Sequence, residues 1–594
     1  MTLRNNGDNG DKKGRILHFT QDHAFFAKQG DIKRAKNDPL NAISRYNEAL
    51  RLEPKDLDTR LAAAEVLTDM ARFNDSDRLV IPYMHLSESF KREAYRIVGF
   101  NLLGLNEPEG ARSCFNRFFD MTDEVSERTD AILDALDYID SIDDDEPLLQ
   151  DAKEAERFRN EDAANDAFDR GDFDRARTVL TKLSEEYPDD IRTLYELALS
   201  CLLSFRTEEG EKYVDRLLAL DGNNWPGWSL KLMFVRGKNN EIEIKKICKK
   251  LETCDSDIPE ELFRVNGSLL EAGCAELALG FAKKLVKLLP YDTLSNHRLA
   301  VSLARLGQYR EAAAVYAKLL KIDRDDYIAK YYMSLCLDHA GKGDPAGGAS
   351  IRDFSMLQYQ LPFDKVIDRV KELLSGNGIT PEGITDRWRT DPDLRSTVRW
   401  AFSLHEFNIN YAMVNLLKIV DEESAEFALR ESIADVDAGR SLVNEALGML
   451  KRRGAEEPYF AVLDGSLIEG RVNLVDLSSI AIPKQYKEIF PRFKAAAGSI
   501  YSAEVVNAAA GITERYLANL KGVFPKIGSK QSEALSAAVE VLACEQCGVP
   551  CSADIAERFS TTHRRITNAV EKIVTAILMS AEPAHGAGPE GENV

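Results

Sequence analysis

The chain has 594 residues, 44% hydrophobic, 29% charged and 8% aromatic, with a net charge of −21. Such a length exceeds what one hydrophobic core organises, so several domains are expected. No run approaches the roughly 18–20 apolar residues of a membrane span. The negative balance weighs against the whole chain being a nucleic-acid binder.

The first fifteen residues, MTLRNNGDNGDKKGR, are polar and lack the apolar stretch of a signal peptide. They are expected to form a disordered tail, and the cytoplasm is the expected compartment. Six of the nine cysteines (Cys114, Cys201, Cys248, Cys254, Cys274, Cys336) are scattered, mostly within helical patterns, as reduced core thiols would be. Residues 16–139 form a first block. In NAISRYNEALRLEP, the small, large, small and proline residues Ala42, Tyr46, Ala49 and Pro54 have the spacing of one face of a helix and its stop. The stretch REAYRIVGFNLLGLNEPEGARSCFNRFF (92–119) is a second such unit, with two extra residues after Gly104. The acidic string DSIDDDEP (140–147) comes next. It reads as a linker capping the next helix; a calcium loop would need alternating oxygen ligands and a turn glycine, which are missing.

From residue 148 to 345 a period of 34 residues governs the chain. Starting at Gly171, it lands on Phe205, Asn239, Gly273, Gly307 and Gly341. Five residues after three of these glycines stand Ala176, Ala278 and Ala312; twelve after stand Leu183, Leu285 and Leu319. The pattern predicts two helices joined at a tight turn, with a small residue where they approach and large ones filling the groove. This array resembles the tetratricopeptide repeat (TPR). The first block, with its RILHF lead-in, resembles the opening of cytoplasmic TPR proteins of Gram-positive bacteria.

The resemblance implies a superhelix whose first helices line a concave face that takes a protein or peptide partner. The candidate lining is Arg192, Tyr195, Leu199, Leu203, Met233, Phe263, His297, Arg305, Tyr331 and His339. The carboxylate clamp of some such arrays needs Lys and Asn at set positions. Asn165 fits one, but Glu161 and Glu196 stand at two others, so a clamp is not implied. His297 and His339 occupy different repeat positions with no third ligand in phase, and are expected as surface or groove side chains.

GDPAGGAS (343–350) breaks the array. Residues 346–483 are expected to be a helical extension, and the stretch from Val420 to Leu450 resembles a HEAT-type hairpin. No H-E-x-x-H, G-x-S-x-G or phosphate-loop motif occurs anywhere, so no catalytic role and no cofactor is expected.

Residues 484–580 differ in charge: Lys484 to Leu578 carries a net +3 and the remainder −24. A buried helix at 528–548, a short helix, and a helix opening on Arg564 and Arg565 outline a helix-turn-helix. SAAVEVLACEQCGVPCSADIAERFSTTHRRITNAVEKI resembles one cyclin-fold repeat of TFIIB-like initiation factors. That resemblance would give Arg564, Arg565 and Lys572 a nucleic-acid role. Within this stretch, Cys544, Cys547 and Cys551 read as core thiols, as metal ligands or as a redox pair; the helical register favours core thiols and no metal. The last residues, 581–594, are expected to be a disordered tail. The whole is expected to be an all-α TPR solenoid with irregular and HEAT-like helices and a small cyclin-like C-terminal domain. Its expected function is a non-enzymatic, cytoplasmic scaffold with a protein or peptide partner and no membrane contact. The alternative is a transcriptional regulator in which the array senses a partner and the C-terminal domain contacts DNA.

Overall fold

A computed structural model describes residues 21–122, 127–144, 152–238, 240–342, 352–374, 380–472, 480–520 and 522–578. Both expected tails, the RILHF lead-in, residues 145–147 of the acidic string and the GDPAGGAS break lie outside the described residues. The described chain is all-α apart from one antiparallel hairpin, Tyr459–Leu463 with Ser466–Gly470.

The repeat is visible in the backbone. The residue between paired helices takes a left-handed conformation at Asn37 (φ 54°), Ala71 (55°), Asn106 (65°), Gly171 (69°), Phe205 (58°), Gly273 (77°) and Gly307 (76°). Steps of 34 or 35 residues join the first three; Gly171 to Phe205 and Gly273 to Gly307 are steps of 34. Glycine adopts this region without penalty. At Phe205 an L side chain is forced into it, and the ring is left 92% exposed.

The helix starts repeat as well. Asp190, Asn224 and Asp292 each cap a first helix, accepting from the backbone N–H of Thr193 (3.1 Å), Gly227 (2.8 Å) and Ser295 (2.6 Å). At the intervening start, Ile258 has no side chain that can do this. Expected close-approach residues Ala176, Ala278 and Ala312 are fully buried, as are Leu183, Leu285 and Leu319.

The first block does not simply precede the array in space. Its helix Pro39–Leu52 lies along Tyr309–Ile322, near the far end of the repeats. Asn47 donates to the carbonyl of Ile322 (2.9 Å), Glu48 pairs with Arg324 (2.9 Å), and Ile322 enters the core of Leu50 and Leu67. The same block grips the extension: Tyr83 stacks on Phe427 (4.4 Å) and Arg78 pairs with Asp435 (2.7 Å). The β-hairpin inserts Phe460, Val462 and Leu467 into the block's core.

That hairpin corrects the wholly helical expectation for residues 346–483. Its two-residue turn is Asp464-Gly465, both with positive φ (49° and 69°), the geometry that matches strand twist. The C-terminal helices Ile489–Ala497, Ala503–Asn519, Ser529–Gln546, Ile555–Arg558 and His563–Leu578 close around their own core.

Candidate partner-binding groove

The concave face divides into two halves of different character. In the first, Arg192 is exposed and paired with Glu196 (3.0 Å), while Tyr195, Leu199, Met233 and Phe263 are half-buried and Leu203 is exposed. The Arg264 guanidinium sits 5.0 Å over the Tyr195 ring and hydrogen-bonds to its hydroxyl. These residues are 69 apart in sequence. The contact shows that first helices two repeats apart share one surface. Glu161 and Glu196, which occupy the clamp positions, are held by Arg157 (2.7 Å) and Arg192.

The second half is filled by the protein itself. After helix Tyr327–Lys342 the chain returns across the concave face as a strap, leaving helix at residue 353 and running extended and bent through residue 360. Phe354 is completely buried among Tyr309, Tyr332 and His339. The inward side chains bind the strap's backbone. Arg305 donates from Nε to the Phe354 carbonyl (3.1 Å), His297 Nε2 lies 3.1 Å from the Met356 carbonyl, and the Tyr332 hydroxyl donates to the Gln360 carbonyl (2.9 Å). Two strap side chains are read too. The Tyr359 hydroxyl donates to Asp326 (2.6 Å), and Asp353 lies 2.8 Å from His339 Nε2.

The strap corrects the expectation for three groove residues. His297 and His339 are not surface histidines: they are 0% and 5% exposed, because the strap covers them. Arg305 is half-buried and committed to the carbonyls of Phe354 and Leu270 (3.1 and 2.6 Å). Tyr331 stays half-buried, edge-on to Tyr332 at 5.1 Å. The Tyr316 hydroxyl lies 2.9 Å from His297 Nδ1, so a neutral ring donating from Nε2 and accepting at Nδ1 satisfies both neighbours. Burial accordingly pushes His297 down to about 4. Arg298, one position on, is 7% exposed, and its Nε and Nη1 find no partner among the described residues.

A family model for the tetratricopeptide repeat matches residues 161–224 and 297–352. The array is built of tetratricopeptide repeats. Solved structures to which the chain is similar include YrrB, a TPR protein with an unusual peptide-binding site (19% identity, 30% of this chain and 92% of that one, TM-score 0.23). Others are the TPR domain of P58(IPK) (15% identity, 60% and 99%, TM-score 0.19) and yeast Tom70 (12% identity, 73% and 96%, TM-score 0.22). No relative is found among curated proteins. The TPR assignment therefore rests on the matched residues and on the recurring turns and caps.

No match to that model falls within the C-terminal helices. There, Arg564, Arg565 and Lys572 are exposed on helix His563–Leu578. Cys544 is in the core, and burial pushes its thiol up to about 12; burial also raises Cys547 to about 11. That is the reverse of what a redox pair needs. The short helix Ile555–Arg558 starts after Asp554, to which the Ser552 hydroxyl donates (2.5 Å). A feature the sequence pattern did not reveal is Glu540, fully buried in helix Ser529–Gln546. It pairs with Arg558 (2.5 Å) and accepts from the Tyr501 hydroxyl (2.8 Å). A glutamate amid Ala, Val and Leu, with an arginine eighteen residues on, was its only trace. Among the described residues no helix is long and apolar enough to cross a membrane, and no cluster of three or more His, Cys, Asp or Glu is arranged for a metal.

Proposed function

We propose that the protein is a non-catalytic interaction scaffold whose open groove half, centred on Tyr195, Met233 and Phe263, holds a segment of a partner protein. The observation that carries this reading is the Arg264–Tyr195 contact, which gathers side chains of separate repeats onto one accessible face. Arg264 is exposed on this face, and its guanidinium favours a partner carrying carboxylates.

The test is capture from the native cell with the full chain, compared with the Tyr195→Ala/Met233→Ala variant and with Arg264→Gln. Quantitative mass spectrometry should show partners depleted severalfold on both variants. Equal recovery on all three baits would remove the open half from partner binding.

A second reading keeps the C-terminal helices as a nucleic-acid contact. The exposure of Arg564, Arg565 and Lys572 favours it, since a buried face would have ended it. Duplex DNA binding that weakens with salt and is lost in Arg564→Ala/Arg565→Ala would support this role; salt-independent or absent binding would dismiss it.

A further inference from the structure

The strap is bound as a ligand is bound. Three inward side chains, Arg305, His297 and Tyr332, each engage a strap carbonyl, contacts that any extended backbone offers. Sequence is then read at three points: Asp353 at His339, Phe354 in the aromatic pocket of Tyr309 and Tyr332, and Tyr359 at Asp326. Backbone contacts combined with a few side-chain pockets are the mode in which an extended peptide is recognised.

We propose that residues 353–360 are a ligand held in cis. The second half of the groove is then a peptide site for an extended chain with the pattern acidic residue, Phe, four residues, Tyr, and a partner bearing that pattern enters by displacing the strap. A tethered ligand competes at an effective concentration of order millimolar, so the strap sets a threshold that only a well-matched partner passes. This site is separate from the open half and does not depend on what binds there.

The probe is a fluorescein-labelled synthetic peptide of residues 352–361, RDFSMLQYQL, titrated against the full chain by fluorescence anisotropy. The Phe354→Ala/Tyr359→Phe chain, with its own strap weakened, should bind the peptide at least roughly tenfold tighter than the unaltered chain. A peptide with alanine at its phenylalanine should not bind, and adding Arg305→Met to the weakened chain should abolish the signal. If the double variant loses its helical circular dichroism, the milder Tyr359→Phe chain takes its place, with an expected gain of about two- to tenfold for one lost hydrogen bond. A folded, strap-weakened chain that binds no peptide, or that binds the alanine peptide equally, overturns the proposal and leaves the strap a structural filler. Adding Tyr195→Ala to the weakened chain should leave peptide binding unchanged. Equal recovery of partners on the open-half variants with retained peptide binding would therefore defeat only the scaffold reading.

Discussion

The two halves of the TPR groove start from one repeat and end as different surfaces. In the first half, Tyr195, Met233 and Phe263 remain half-buried and reachable. In the second, His297, Tyr332 and His339 are as buried as core residues, because the chain doubles back over them. The periodic pattern alone makes a concave face. The segment after the last repeat decides whether that face is offered to a partner or closed.

The largest expected separation between the halves is in stability. Phe354→Ala removes a fully buried ring and should cost about 3–5 kcal/mol in urea denaturation. Phe263→Ala, from a half-buried site, should cost about 1–2 kcal/mol. Equal losses would mean that the strap adds no packing the open half lacks.

Acid comes next in size. Burial holds His297 at about 4, below its ordinary value, so the folded protein keeps it neutral while the unfolded chain takes up a proton. Its contribution is complete above about pH 6.5 and is lost as pH falls towards 4, at about 1.4 kcal/mol per pH unit, or about 2 kcal/mol by pH 5. His85 in the first block, also held at about 4 mainly by burial, adds in the same direction. Residues 152–271 contain no histidine. Hydrogen exchange, corrected for intrinsic rate, should therefore accelerate at pH 5 in helices Thr293–Arg305 and Tyr327–Lys342 and much less in Phe173–Glu186 and Ile191–Leu203. His297→Gln should flatten the pH dependence of urea midpoints.

The smallest effect reverses sign and belongs to the open half. Phe205→Gly relieves a left-handed L residue and should stabilise the array by about 1 kcal/mol, read as a rise in Tm. A fall in Tm would show that the exposed ring packs against something in solution.

The repeats were legible because their turn, close-approach and groove positions recur in phase, and even the imperfect turn at Phe205 kept the length. The hairpin was legible in principle: Asp464-Gly465 between apolar strands is a strong turn signal, outweighed by the helical patterns on both sides. The strap was not. RDFSMLQYQL has neither helical nor strand period, and its conformation comes from side chains 14 to 59 residues away. For the same reason His297 and His339 looked like accessible groove residues: nothing local announces what will cover them. The docking of the first block onto Tyr309–Ile322 is likewise set by contacts about 275 residues apart.

The measurement that bears most directly on the contrast is hydroxyl-radical footprinting of the intact chain, read residue by residue by mass spectrometry. Phe205, 92% exposed, and Leu285, fully buried, supply the two ends of the scale. A closed second half predicts that Phe354 and His297 are protected to the level of Leu285, while Met233 and Phe263 oxidise at intermediate rates. Oxidation of Phe354 approaching that of Phe205 would show the groove open along its whole length and would end the distinction between its halves.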